Sequence, residues 1–453
     1  METIAAISTP NAAGGIAVVR ISGDSAVSVA QRIFRPAGNK RVDEMPGYTC
    51  AYGTVRDGDE VLDDCILTVF RSPHSFTGED TAEISCHGGI YVSRRVLEAA
   101  LKNGAAPAAP GEFTRRAYLN GKLDLTQAEA VMDTISARSE LELKAAASLR
   151  EGAVFRRVQE CSGRLLRLLA GLAAWTDYPD EDIPEVGQEN MTAEITAVRD
   201  SLLSLTANYE SGRLLREGVR TAIVGKPNVG KSTLFNALSG CERSIVTDIA
   251  GTTRDVVEET VRLGGVVLRL SDTAGIHGTD DRVEQIGIGF AKKTLSEAEL
   301  VIAVFDGSCP CTADDIELMK SISCSRRIAV VNKNDRDIQF DEDILKQYFI
   351  QIVFLSAKDE TGIDLLSAAV SQACRINEDI VRTCTAANER QKCCIDSAVK
   401  SLEEALNAVR SGIMLDAVNV LIDEAEQKLL ELTGERVTNA VVDEVFSRFC
   451  VGK

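Results

Sequence analysis

The period of the apolar positions changes along the chain. Residues 16–21 (IAVVRI) and 61–70 (VLDDCILTVF) are Val- and Ile-rich and bounded by Gly, Asp or Pro, the pattern of short strands. A turn-rich stretch, 35–46, lies between them, and Gly88-Gly89 precede a helical pattern over 92–101. Residues 1–118 are therefore expected to form an α+β segment. From 119 to 215 the apolar spacing becomes helical: Leu123, Leu125, Ala128, Val131, Met132 and Ile135 form one face, and Leu165, Leu166, Leu168, Leu169 and Leu172 another. An acidic, proline-flanked run from Asp177 to Pro184 interrupts it. Residues 216–374 alternate strands with helices. Residues 375–453 return to helix, with Ile395, Ala398, Val399, Leu402, Leu406 and Val409 on one face and Val442, Val445, Phe446 and Phe449 on another. The expected fold is multidomain, α/β and α+β: an α/β domain inserted into a helical domain that is split in sequence, behind an α+β domain. No internal repeat or low-complexity tract is apparent.

Composition narrows the class. The 453 residues are enough for about three domains. Hydrophobics at 45% and charged residues at 26% are the mix of a globular protein, which excludes wholesale disorder. Lys plus Arg is 50 against 68 Asp plus Glu, a net charge of −18, so any RNA contact rests on a local basic patch or on a partner. No apolar run reaches the ~18 residues of a membrane span, and no basic leader opens the chain, so a cytoplasmic protein without membrane contact is expected. The 13 cysteines follow no framework spacing and are expected to be reduced thiols. The close pairs Cys309-Pro-Cys311 and Cys393-Cys394 lack a second pair at zinc-ligand spacing.

The strongest motif is Gly225-Lys-Pro-Asn-Val-Gly-Lys-Ser232, which fits G-x-x-x-x-G-K-[ST]. It stands between an apolar strand pattern (221–224) and a helical run (233–238), the context a phosphate-binding loop demands. Backbone N–H groups would close around the phosphates, Lys231 would reach the β- and γ-phosphates, and Ser232 would hold Mg²⁺. Asp272-Thr-Ala-Gly275 follows the strand pattern 266–270, where a metal-holding aspartate and a γ-phosphate-sensing glycine belong. Gly251-Thr-Thr-Arg-Asp255 lies between, at the place of a switch threonine. Asn332-Lys-Asn-Asp335 and Ser356-Ala-Lys358 follow the strand patterns 328–331 and 352–355. A carboxylate at Asp335 accepts from guanine N1–H and N2–H₂, donors adenine lacks, so GTP is the expected nucleotide. Ile276 occupies the position where Ras-like proteins carry a water-orienting glutamine, so hydrolysis needs another polar group or an outside activator. Glu284, downstream in the same segment, is the candidate. Asn228 is either a loop hydrogen-bonder or a ligand for a monovalent cation.

With these motifs stand Thr9 to Gly23 (Thr-Pro, Gly-Gly-Ile, Arg-Ile-Ser-Gly), Phe76-Thr-Gly-Glu-Asp80, Cys86-His-Gly-Gly89, Pro110-Gly-Glu-Phe113, Leu119-Asn-Gly-Lys-Leu-Asp-Leu125 with Gln127-Ala-Glu129, and the terminal Phe449-Cys-Val-Gly-Lys453. Over essentially its whole length the chain resembles the MnmE (TrmE) family of tRNA-modifying GTPases. The resemblance implies a folate-binding and dimerising domain at 1–118, a helical domain from 119–215 and 375–453, and a P-loop GTPase domain at 216–374. It implies a homodimer that joins MnmG, which carries FAD, in a heterotetramer. The pair would add an aminomethyl or carboxymethylaminomethyl group to C5 of the wobble uridine of certain tRNAs, using methylenetetrahydrofolate. Catalysis would fall to Glu284 and Lys231. GTP contacts would come from Asn228, Val229, Gly230, Lys231, Ser232 and Thr233, from Thr247, Asp248, Ile249, Ala250, Gly251, Thr252 and Thr253, from Asp272, Thr273, Ala274 and Gly275, and from Asn332, Lys333, Asp335, Ser356, Ala357 and Lys358. Mg²⁺ would sit on Ser232 and Thr253, and K⁺, which stimulates hydrolysis, on Asn228, Thr247, Ile249 and Thr252. Folate would meet Arg20, Glu79, Lys122 and Lys453. Glu79 suits the adjacent N–H donors of a pterin, and the cations suit its carbonyl and the glutamate tail. Cys450 is either a functional thiol near the folate or a small residue packed beside Phe449. The chain departs from the family at Pro10-Asn-Ala-Ala-Gly-Gly15, where a positive charge is lost, at Phe76 in place of tyrosine, and at His277 where arginine is common.

Two other classes compete. A ribosome-assembly or signalling GTPase shares the P-loop and lacks the glutamine, but should carry a basic RNA module such as a KH domain. A folate-dependent aminomethyltransferase acting alone leaves the GTPase motifs without a role.

Overall fold

The computed structural model describes residues 2–177, 187–241, 259–270, 295, 297–375 and 388–453. They fall into two compact units, Met1–Met132 with Val158–Gln188 and Lys400–Lys453, and Asp133–Arg157 with Glu189–Val399.

The first unit is built on a seven-stranded sheet. Its strands are β1 (Ile4–Ile7), β2 (Ile16–Ser22), β3 (Phe34–Pro36), β4 (Thr49–Asp57), β5 (Glu60–Phe70), β6 (Thr81–His87) and β7 (Ala106–Pro107), in the order β3-β4-β5-β6-β2-β1-β7. All neighbours are antiparallel except β1 and β7. Alternation assigns the faces. Val19 and Ile21 of β2, Leu67 and Val69 of β5, and Ala82 and Ile84 of β6 are buried in one core. The helices Ala26–Ile33 and Ile90–Lys102 add Val29, Ala30, Val96 and Ala99 to it. Arg20 and Glu83, the residues between, are cross-strand partners on the opposite face. The helix expected over 92–101 runs longer, because its first turn (Ile90, Tyr91) is exposed and escapes an apolar pattern.

The chain's end joins this unit. Val442, Phe446 and Phe449, on or just past the helix Asn439–Ser447, form a cluster with Leu125 and Ala128. Arg115 and Asp443 pair at 3.0 Å, and the Tyr118 hydroxyl donates to the Gly434 carbonyl at 2.5 Å.

The second unit holds a six-stranded sheet of β8 (Val219–Val224), β9 (Glu259–Leu263), β10 (Val266–Leu270), β11 (Leu300–Asp306), β12 (Arg327–Asn332) and β13 (Gln351–Phe354), in the order β13-β12-β11-β8-β10-β9. It is parallel apart from the β9–β10 hairpin. Both faces are covered, as a parallel sheet requires: Ile302, Val304, Ile328 and Val330 face one core, and Val301, Ala303, Phe305, Ala329 and Val331 the other.

Candidate functional site

The loops that follow β8, β11, β12 and β13 share the carboxyl edge of the second sheet, where an open parallel sheet binds its ligand. The P-loop leaves β8 and turns into the helix Lys231–Cys241. Its carbonyls are taken by side chains. Lys231 Nζ donates to Gly225 O and Lys226 O, both at 2.7 Å. Lys333 Nζ donates to Asn228 O at 3.0 Å, and Asn332 Nδ2 to Val229 O at 2.9 Å. A turn whose carbonyls are occupied in this way keeps its N–H groups for an anion. Asn228 holds a left-handed φ of 63°, which asparagine tolerates better than most residues. Gly230, at φ 96°, has no alternative: a Cβ there would lie 2.2 Å from Asn332 Nδ2. Burial lowers the Lys231 pKa below its ordinary value, a cost that a phosphate would offset. Ser232 and Thr233 are exposed in the helix's first turn. The exposed Ser232 hydroxyl and Asn228 amide are oxygen donors of the kind hard cations take.

On the base side, Asn332 is 3% exposed and works in both directions, because its Oδ1 accepts from Ala357 N at 2.9 Å. Ser356 Oγ lies 3.0 Å from Asp335 Oδ1 and 3.2 Å from Asp359 Oδ2, with one proton to share. Ser356 and Thr361 pair through their backbones, which closes that loop. Lys333 also donates to Asp306 Oδ2 at 2.5 Å. Burial opposes ionisation of Asp306, but Lys333 and Ser308 outweigh it and hold the carboxyl below the usual range. Lys358 is exposed. Thus Asn228, Val229, Gly230, Lys231, Ser232, Asn332, Lys333, Asp335, Ser356 and Ala357 meet along one sheet edge. Thr247, Asp248, Ile249, Ala250, Gly251, Thr252, Thr253, Asp272, Thr273, Ala274, Gly275, Ile276, His277 and Glu284 lie outside the described residues.

A second constellation lies in the first unit. Arg20 donates through Nε to Glu83 Oε1 at 2.7 Å. Its guanidinium carbon stands 5.8 Å from the Phe76 ring centre and 5.5 Å from that of Phe113, within cation–π range. Lys453, half-buried, has its pKa lowered first by burial and then by Arg20, with Glu83 and Cys450 opposing. The tail is fixed by its backbone: Ser8 Oγ donates to Gly452 O at 3.1 Å, and Gly111 N to Cys450 O at 3.3 Å. Gly452, at φ 94°, leaves no room for a Cβ, which would meet Ile7 O at 2.4 Å. Lys122 Nζ donates to Pro73 O at 3.1 Å, beside the 73–79 loop that carries Phe76 and Glu79.

Glu79 is 9% exposed and sits in a network the sequence did not reveal. Ser22 Oγ donates to its Oε2 at 2.8 Å, and Arg116 Nη1 lies 3.2 Å from both carboxylate oxygens. Arg116 in turn pairs with Glu112 at 2.8 Å. Arg116, Glu83, Phe113 and Ser22 are additions to the expected set. Strand alternation could have paired Arg20 with Glu83 only once the β2–β6 register was known. Cys450 is exposed. By contrast, burial pushes the Cys65 thiol up to about 12 and Cys374 to about 11, which makes them inert. Cys309 and Cys311 are unbridged thiols.

A loop of the G-x-x-x-x-G-K-[ST] pattern, the Asn332 and Ser356 loops beside it and a second constellation around Arg20 are therefore carried by one polypeptide. Residues 3–122 match the family model described as "GTP-binding protein TrmE N-terminus", and residues 125–450 that of the "MnmE helical domain". The tRNA modification GTPase MnmE of Acetivibrio thermocellus is 41% identical over 463 residues, covering 100% of this chain and 99% of its own. That of Clostridioides difficile is 37% identical (100% and 99% covered), and that of Bacillus pumilus 39% (100% of both). With two family models matched over residues 3–122 and 125–450 and relatives matched end to end, the chain belongs to the MnmE family of tRNA modification GTPases.

Proposed function

We propose that this GTP hydrolase, together with an FAD-carrying MnmG partner, adds an aminomethyl or carboxymethylaminomethyl group to C5 of the wobble uridine of certain tRNAs. The carrying observation is the second constellation. Arg20, Lys122 and Lys453 bring three cations to a region that also holds Phe76, Phe113 and the buried Glu79 carboxylate. Aromatic faces, cations and a fixed carboxyl acceptor fit a pterin with an anionic glutamate tail. Methylenetetrahydrofolate would supply the one-carbon unit there. The residues' own part is to bind and orient: Arg116 and Ser22 hold the Glu79 carboxylate in place as an acceptor, and Glu83 sets the plane of Arg20.

In the other unit the P-loop and Asn332, Lys333 and Asp335 would bind GTP. Ser232 and Thr253 would hold Mg²⁺, and Asn228 with Thr247, Ile249 and Thr252 would hold K⁺. Glu284 would orient the attacking water. The reading divides the chain into a folate and dimerisation domain (1–118), a split helical domain (119–215 and 375–453) and a GTPase domain (216–374). It has the protein act in the cytoplasm as a homodimer within a heterotetramer with MnmG. No described helix is long and apolar enough to cross a membrane. The test is mass spectrometry of tRNA nucleosides from cells with and without the protein. Loss of the C5 modification at the wobble uridine is expected, and an unchanged profile would overturn the reading.

A further inference from the structure

Lys226 is the second residue of the P-loop, a position where the G-x-x-x-x-G-K-[ST] pattern accepts any side chain. The structure gives it a specific engagement. Its Nζ donates to Asp315 Oδ2 at 2.7 Å and to Thr312 Oγ1 at 2.7 Å. Asp315 is 2% exposed and lies in the first turn of the helix Ala313–Ser321, where it closes a capping box with Thr312. The same Oδ2 accepts from Thr312 N at 2.9 Å and from Thr312 Oγ1 at 2.8 Å. A capping box needs no cation and is ordinarily solvated. Here the carboxylate is out of water, and the Lys226 ammonium pairs with its charge in place of solvent. Among the described residues Lys226 is the ammonium within ion-pair distance of it.

The other end of Lys226 bears on the chemistry. Its carbonyl accepts from Lys231 Nζ at 2.7 Å. One residue therefore grips the helix through its side chain and seats the motif lysine through its backbone. The loop between them is short, so a shift at Asp315 is passed to the Lys231 ammonium with little slack.

We propose that Lys226 is a positioning residue for GTP hydrolysis: anchored by Asp315, it fixes the carbonyl that seats Lys231. This rests on the reading of Lys231 as the lysine that meets the phosphates. A looser P-loop leaves the base-side contacts of Asn332 and Asp335 in place. The loss falls on the charge that develops during transfer, and hence on kcat.

The test uses the full chain and four variants: K226M, K226R, D315N and the K226M/D315N double. GTP turnover at saturating substrate, KM for GTP and GDP affinity are measured, with thermal unfolding as the folding control. K226M is expected to lower kcat by about 10- to 100-fold, the scale of a displaced positioning group, while KM and GDP affinity move by less than about threefold. K226R should recover most of the rate, because a guanidinium fork can reach both acceptors. The double variant should be no slower than the slower single, since the two residues act as a unit. A K226M enzyme with normal kcat would overturn the proposal, as would a parallel fall in kcat and GDP affinity, which marks a merely structural role. K231A separates the two levels: normal turnover in K231A refutes the reading of Lys231, whereas a dead K231A beside a normal K226M refutes only this inference.

Discussion

Truncating Asn332 to alanine removes one side chain that ties two loops together. Its amide spans from Val229 O of the P-loop to Ala357 N of the base-side loop, at 2.9 Å each. The orientation is unambiguous, because Val229 offers only a carbonyl and Ala357 only an N–H. Val229 is 3% exposed and Ala357 2%, so neither can turn to water. A buried group left without its partner costs about 1–3 kcal/mol, and Asn332→Ala leaves two, hence about 2–6 kcal/mol in all. On the proposed reading, nucleotide binding needs both loops in place. If half of the cost falls on binding, affinity for GDP and for a non-hydrolysable GTP analogue drops by about 5- to 150-fold. The remainder lowers the unfolding temperature.

Titration of both nucleotides, with calorimetric unfolding alongside, measures the two shares. GDP and the GTP analogue should lose equally, because no contact particular to the γ-phosphate is removed. Asn332→Asp sharpens the test. It keeps an acceptor for Ala357 N but turns a charged oxygen onto the Val229 carbonyl, so it should bind at least as poorly as the alanine variant. Affinity within twofold of wild type and unchanged unfolding, in either variant, would refute the argument that this amide couples the loops.

Asp335→Asn should shift preference from GTP toward xanthosine triphosphate, because an amide donates to the carbonyl that replaces the guanine amino group; retained full GTP affinity counts against it. Turnover should be fast only in K⁺ or an ion of similar size, a cation standing in for an arginine finger worth about 10³–10⁵ in rate; equal rates in Na⁺ exclude this. Deleting Cys450 to Lys453 should abolish tRNA modification, read by nucleoside mass spectrometry, and leave GTP binding intact; lost nucleotide binding would make the tail structural. Glu284→Ala should keep GTP affinity and slow turnover by about 10²–10⁴; a normal rate would move the role to another residue.

What the sequence made legible was local. The P-loop announces itself because glycines, lysine and hydroxyl must follow one another within eight positions between a strand and a helix. The loop motifs at Asn332 and Ser356 stand at the ends of β12 and β13 for the same reason, since apolar runs marked where those strands stop. Long-range polar pairs left no such trace. That Asn332 would bond Val229, 103 residues earlier, depends on β11 lying between β8 and β12. Arg116 could be matched with Glu112 by helical spacing. Its second partner, Glu79, comes from a loop that only the folded sheet brings near. Lys226 and Asp315, 89 residues apart, belong to the same class.

The tail's arrival beside Arg20 raises the question of how a chain interrupted by so long an insertion still closes its first unit. Ser8 and Gly452 are bonded across 444 positions. Loop closure grows only with the logarithm of length, about 0.6 kcal/mol per doubling, so closing a gap of roughly 200 residues costs only about 2–3 kcal/mol more than closing a gap of ten. The cluster at the seam is larger than that. Val442, Phe446 and Phe449 are buried against Leu125 and Ala128, and each large apolar side chain removed from water contributes about 1.5–3 kcal/mol. Phe446 and Phe449 alone, with ring centres 5.1 Å apart, offset the added closure entropy. An insertion can therefore be long without loosening the constellation around Arg20. What matters is the fit of the last few residues: Gly452 is there because Ile7 O leaves no space for a Cβ, and that fit sets where Lys453 ends. A change at this seam would move a cation of the second constellation while touching no residue of the nucleotide loops, so the two sites can fail independently although one chain carries both.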